Sequence, residues 1–158
     1  MRTASRHRSF ARRAFWWVLL VAVLSMGQQM ASVPAFAASR TWTGAGTDNN
    51  WTTPANWGGV APVAGDSLLF PAGAARLSNT NDYLPGTAFV LIGISGSGYN
   101  LSGNTVSLSA GLATTHSSSS VTVSLPISGA GGVTVSGAGR LVLSGPNSFT
   151  GQVRVEDG

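Results

Sequence analysis

The chain predicts an all-β fold, a parallel β-helix of a few coils. Three observations carry that expectation. The stretch from Gly137 to Gly158 holds two short alternating strands cut apart by glycines and Asn147. Leu141 and Leu143 share one face of the first, Val153 and Val155 one face of the second, and two aliphatic residues cannot form a core unless they stack on copies of themselves. Outside the first segment, apolar residues do not recur at helical spacing, and glycine and β-branched residues, both poor helix formers, dominate. An internal echo completes the case. Ile94-Ser-Gly-Ser-Gly, ending at Leu-Ser-Gly103-Asn104, returns as Val135-Ser-Gly-Ala-Gly, ending at Leu-Ser-Gly145-Pro-Asn147, with a shorter form at Ile127-Ser-Gly-Ala-Gly131. Its spacing suits two coils of roughly 20 residues each.

The first element reads as a signal peptide over 1–37, expected as a helix. Arg2, Arg6, Arg8, Arg12 and Arg13 make a basic start, and Ala14 to Met26 is an almost unbroken apolar run. That run is shorter than the roughly 20 residues needed to cross a bilayer, which favours a cleaved leader over a retained anchor. Ala35-Phe36-Ala37 supplies the small-x-small signature, placing cleavage between Ala37 and Ala38. Arg12-Arg13 raises the twin-arginine route as an alternative, but Ala11 replaces the usual hydroxyl residue and the general secretory route is favoured. Export places the product outside the cell or on its surface.

The leader also carries the charge. The chain has nine basic and five acidic residues, net +4, and five of the basic ones lie in the leader. After it, Arg40, Arg76, Arg140 and Arg154 face Asp48, Asp66, Asp82, Glu156 and Asp157, a net charge of −1. With no lysine and no basic patch to neutralise phosphates, nucleic acid is excluded as a partner class. Cysteine is absent, so an exported domain must rely on core and backbone ladders rather than disulfides.

A Trp-rich cap segment is expected over 38–66 and the β-helical repeat region over 67–158. Strands are predicted at Ser67–Phe70, Phe89–Ile94, Thr105–Ser109, Val121–Leu125 and Val133–Val135. Val106 with Leu108, and Val121 with Val123 and Leu125, should face inward, leaving Ser and Thr outside. The turns are Gly-x-Gly corners, and the Asn-Gly or Asp-Gly hairpin turns of an antiparallel sandwich do not join these strands. Asn104 and Asn147, each beside a corner, are placed to ladder between coils.

These residues resemble the autotransporter-associated β-strand repeat of bacterial surface and secreted proteins, which here reads Gly139, Leu141, Leu143, Gly145, Asn147, Gly151, Val155 and Gly158. The segment from Thr41 to Trp57, followed by Pro62-Val-Ala-Gly-Asp66, is similar to the leader segment that precedes such repeats. The resemblance implies a right-handed parallel β-helix, exported and displayed, and says little about activity. Such chains continue through more coils and, in autotransporters, a membrane barrel, so a longer gene product is expected downstream.

Chemistry is sparse. His116 lies among serines, which suggests a nucleophile–base pair, but no nucleophile elbow accompanies it and an exposed loop histidine is the preferred reading. Asp48, Asp66 and Asp82 are isolated in turn contexts where Asp caps backbone groups. Asp48-Asn49-Asn50 offers too few oxygens at too irregular a spacing for calcium, and the Gly-x-Gly pieces lack the lysine of a phosphate cradle. No catalytic residue, metal site or cofactor is assigned. The binding candidates are Trp42, Trp51 and Trp57, whose rings could stack on sugars while Asn49, Asn50 and Asn56 bond hydroxyls; a hydrophobic plug closing the first coil is the preferred reading. The expected function is an exported, non-catalytic, adhesin-like scaffold that meets glycans or a neighbouring cell surface. The alternatives are a carbohydrate-binding module built on the tryptophans, or the remnant of a β-helical polysaccharide-degrading enzyme.

Overall fold

The computed structural model describes residues 37–156. The expected signal-peptide helix, Ala35 and Gly158 lie outside the described residues. Eleven strands follow one another: β1 (Ser39–Thr41), β2 (Ser67–Phe70), β3 (Ser78–Asn81), β4 (Thr87–Ile94), β5 (Asn100–Gly103), β6 (Val106–Thr114), β7 (Val121–Val123), β8 (Ile127–Ser128), β9 (Gly132–Val135), β10 (Leu141–Leu143) and β11 (Val153–Val155). A single 3-10 turn, Pro54–Trp57, separates β1 from β2.

Every strand pairing is parallel. A seven-stranded sheet runs β1-β2-β4-β6-β9-β11, with β8 beside the start of β6, and a four-stranded sheet runs β10-β7-β5-β3. The chain alternates between the two sheets and returns one rung further along. The result is a parallel β-solenoid of about four turns. Parallel strands need crossovers rather than hairpins, and here the opposite wall of the solenoid is the crossover.

Register explains the sequence pattern. Leu68, Ile92, Leu112, Val133 and Val153 stand in one inward column, and Phe70, Ile94, Thr114, Val135 and Val155 in a second. Leu101 and Val123, and Val121 and Leu141, stack on the other wall. Period-two alternation thus becomes a continuous core, with Leu68, Phe70, Ile92, Leu101, Leu108 and Val123 buried. Val153 and Val155 end their columns and are exposed. The echo between Ile94 and Val135 is a two-coil spacing, since Ile94 pairs with Thr114 and Thr114 with Val135.

Two strands, β1 and β3, carry no apolar residue. In β3 the sequence is Ser-Asn-Thr-Asn, yet Asn79 and Asn81 point inward and are buried. Their amides are put to use: Trp51 Nε1 donates to Asn79 Oδ1 at 2.7 Å, and Asn81 Nδ2 donates to Asn104 O at 2.8 Å. β1 and β8 are short; β1 pairs with β2, and β8 lies between the start of β6 and the Asn147–Ser148 segment of the next rung. The expected asparagine ladders do link coils, through backbone rather than through each other. Asn104 Nδ2 donates to Tyr83 O at 2.8 Å, and Ile127 N donates to Asn147 Oδ1 at 2.9 Å.

Adjacent rungs approach too closely for a side chain at certain corners. Gly111 has φ +106°, and a β-carbon there would lie 2.1 Å from the carbonyl oxygen of Gly132 on the next rung. Gly73 has φ +83° but open space around it. Gly73→Ala should therefore cost only the backbone term, about 1–2 kcal/mol, and Gly111→Ala about 3 kcal/mol or more because the rungs must also part. Urea unfolding of both variants measures this; equal losses would show that rung contact does not limit position 111.

Candidate functional site

Three places concentrate chemistry-bearing side chains: the N-terminal end of the solenoid, the corner around His116, and the outer face of the seven-stranded sheet.

At the N-terminal end, Trp42 follows β1, and Trp57 closes the 3-10 turn that Pro54 starts and Gly58 ends in a left-handed conformation. The rings meet edge to face, Trp42 with Trp57 at 5.1 Å and Trp51 with Trp57 at 6.3 Å, and both Trp51 and Trp57 rest on Phe70 at 5.7 Å. Each indole N–H is bound inside: Trp42 to Arg76 O at 2.8 Å, Trp51 to Asn79 Oδ1, Trp57 to Trp51 O at 2.8 Å. Trp42 and Trp51 are 0% exposed and Trp57 5%. The rings of Trp42, Trp51 and Trp57 are buried, as the preferred plug reading expects, whereas the sugar-stacking alternative would need an accessible ring face. The rings form the plug that seals the first coil, because indoles this large are the side chains able to fill its open end.

Asn56 belongs to the same plug. It is buried, accepts the Gly46 N–H at 2.8 Å through Oδ1, and donates through Nδ2 to Asn50 O at 2.9 Å. Its amide is consumed in holding the loop from Thr43 to Thr53. Asn50 is half-buried, and its amide makes no hydrogen bond to another described residue. Asp48 caps this loop, accepting from Asn50 N at 3.0 Å and Thr53 Oγ1 at 2.8 Å. The Asn50 and Thr53 bonds hold its carboxyl below the ordinary value. Asp82 accepts from the backbone N–H of Thr52 at 2.9 Å, a cap that crosses 30 residues of sequence.

Asp66 is the buried carboxylate of this end. Its Oδ1 accepts from Ala38 N at 2.9 Å, and its Oδ2 from Val63 N at 3.0 Å and Arg40 Nε at 3.0 Å. Burial pushes its carboxyl up, but the Val63 and Ala38 amides and the Arg40 guanidinium together outweigh burial and leave it below the ordinary value. Ala37, the last residue of the expected cleavage signature, is exposed, and Ala38 is half-buried.

His116 is not the exposed loop residue expected from its serine-rich setting. It is 1% exposed, with Nε2 3.2 Å from Arg140 O. The loop from Gly137 to Arg140 lies directly on it, and a β-carbon on Gly139 would come within 2.2 Å of its Cδ2. A ring fills this corner because the overlying residue has no side chain. Ser118 Oγ pairs with Ser97 Oγ at 2.9 Å rather than with His116, so no serine–histidine pair is assembled.

The repeat glycines share that logic. β-Carbons on Gly139, Gly145 and Gly151 would all strike the preceding rung, at His116, Ser124 O and Gly132 N respectively. Leu141 and Leu143 are half-buried on β10, Asn147 binds Ile127, and Val155 is exposed on β11. The motif records where rungs touch.

The outer face of the seven-stranded sheet carries an accessible groove. Thr41, Leu69, Gly93, Ala113, Thr134 and Arg154 stand in register across it. Beside that column a groove of about 280 Å³ is lined by Leu69, Pro71, Gly93, Ala113, Ser95 and Thr115. Its floor is apolar and small, its margin hydroxylated. Nothing in the sequence marked it, because its residues come from separate rungs.

The chain matches no protein-family model, no curated protein and no solved structure. Its geometry defines a class, the parallel β-solenoids.

Two outcomes follow. Trp51→Ala should lower stability by about 3–5 kcal/mol, read from urea unfolding, with little change if the ring were a surface platform. Asp66 has a depressed folded value, so its contribution is present above the unfolded value near 3.8 and lost as pH falls through the folded one. Thermal melts from pH 5 to pH 2.5 should show that loss, and Asp66→Asn should reduce it to what Asp48 still contributes.

Proposed function

We propose that this chain is an exported, non-catalytic β-solenoid scaffold, adhesin-like, that presents its outer sheet and turns to a glycan or a neighbouring cell surface. The observation that carries the reading is where the polar groups go. Ser102, Ser124, Ser128 and Ser136 each donate a hydroxyl to a carbonyl of a neighbouring strand. Asn81 and Asn104 donate to carbonyls at the corners, Asn147 accepts the Ile127 N–H there, and Asp48, Asp66 and Asp82 hold backbone amides. Most of these side chains join one rung to the next, and Asp48 fastens the loop that covers the first coil. A stack of rungs about 4.8 Å apart is a stiff spacer with a repeating surface.

The leader with its Ala35-Phe36-Ala37 signature supports export, and the Gly139–Gly158 pattern supports kinship with the autotransporter-associated repeat and its right-handed winding. The carbohydrate-binding alternative moves from the tryptophans to the outer groove. Substituting Trp51 or Trp57 would test the plug, not a ligand site.

The test uses the purified exported protein and Ala113→Arg, which blocks the groove from an outward position. Retention on insoluble glycans or on cell-envelope fractions should fall at least about tenfold, roughly 1.4 kcal/mol, with the unfolding midpoint unchanged. Equal retention would remove the groove from the reading. Turnover of a polysaccharide by the same preparation would replace the scaffold with an enzyme.

A further inference from the structure

Ala38 is held from both sides. Its N–H reaches Asp66 Oδ1 at 2.9 Å, and its carbonyl accepts the Ser67 N–H at 2.8 Å. It is also the residue that the Ala35-Phe36-Ala37 signature would make the new N-terminus, and the neighbouring Ala37 is exposed. We propose that leader removal creates an α-ammonium at Ala38 that seats on the buried Asp66 carboxylate, so that processing itself locks the N-terminal end of the solenoid. This inference rests on the export reading.

The step is an ordinary hydrolysis by a leader-removing peptidase. Water adds across the Ala37–Ala38 amide; the carboxyl leaves with the leader, and the freed amine takes up a proton at neutral pH. The nitrogen need not move. A neutral amide donor becomes a cationic one at the same distance from a buried anion, and charge-assisted bonds are roughly twice as strong as neutral ones. Asp66 has an oxygen for each cation: Oδ1 faces Ala38, Oδ2 faces Arg40 Nε. Tyr83 is a further ionisable group near Asp66, and it also feels Asp82. The lock lies beside the tryptophan plug, since β1 carries Arg40 and leads directly into Trp42.

The composition makes the test unusually clean. The chain has no lysine and no cysteine, so the processed protein has one amine. Tyr83 is held above its ordinary value, by burial first and then by Asp82 and Asp66, and Tyr99 is pushed up by burial to about 12. Between pH 7 and 9.5 the α-amino group is therefore expected to titrate while both tyrosines of the folded chain keep their protons. Its pKa should be raised by Asp66, so its stabilisation is full below the unfolded value of about 7.7–8.0 and lost as pH rises through the folded value.

The protein recovered after export is first checked by intact mass for a chain beginning at Ala38. Its unfolding is then measured in urea from pH 7 to pH 9.5, before and after acetic anhydride treatment, which neutralises the amine without a mutation. The folding equilibrium constant of the free-amine chain should fall about tenfold across that range, the equivalent of one pKa unit. The acetylated chain and Asp66→Asn should show a markedly shallower profile, with only the slope that the raised tyrosines leave toward pH 9.5. A free-amine chain as flat as the acetylated one overturns the lock while leaving export intact. A product that keeps its leader, or begins elsewhere, overturns the cleavage reading and the lock together.

Discussion

The constraint on which the structure depends is the close approach of one rung's backbone to the next. Parallel pairing at about 4.8 Å leaves room for side chains pointing in or out of the solenoid but not along its axis. At the corners the chain must bend without losing that contact, and a β-carbon at Gly111, Gly132 or Gly151 would lie 2.1–2.3 Å from backbone of a neighbouring rung. The glycines, the in-register apolar columns and the hydroxyl donors all answer to that one distance.

A stack of this kind has a problem that a closed barrel lacks, since its ends expose core and unpaired backbone. The N-terminal end answers it with mass and charge. Three indoles and Phe70 fill the mouth, and Arg40 with Asp66 ties the first strand to the residues before the second. Asn56 and Asp48 then hold the covering loop by amide and carboxylate bonds. This end uses polar side chains as fasteners, and its aromatic density is a packing device rather than a display.

Much of the architecture was legible because it repeats. The strand at Ser67–Phe70, the inward pairs Val106 with Leu108 and Val121 with Val123, and the two-coil distance from Ile94 to Val135 follow from local alternation and an echo. β3 was not legible, since Ser-Asn-Thr-Asn reads as a loop until Trp51 supplies a donor for Asn79. His116 was misplaced for a related reason. Its serine neighbours suggest exposure, and its burial depends on Gly137 and Gly139 lying over it from the next coil. The outer groove was invisible because Leu69, Gly93 and Ala113 are neighbours only across rungs.

The sequence by itself determined the class of fold, because period-two alternation with glycine corners and too few apolar residues per strand has few ways to bury itself other than stacking. It also named the tryptophans, the aspartates and the cleavage signature as residues of interest. The tertiary structure decided how the tryptophans and the aspartates are used. Side chains of one rung find their partners on the next, some 20 to 30 residues away, as Ala38 finds Asp66 and Thr52 finds Asp82. For the Asp66–Ala38, Asp66–Arg40, Asp82–Thr52 and Trp51–Asn79 pairs, no local window of sequence contains both partners.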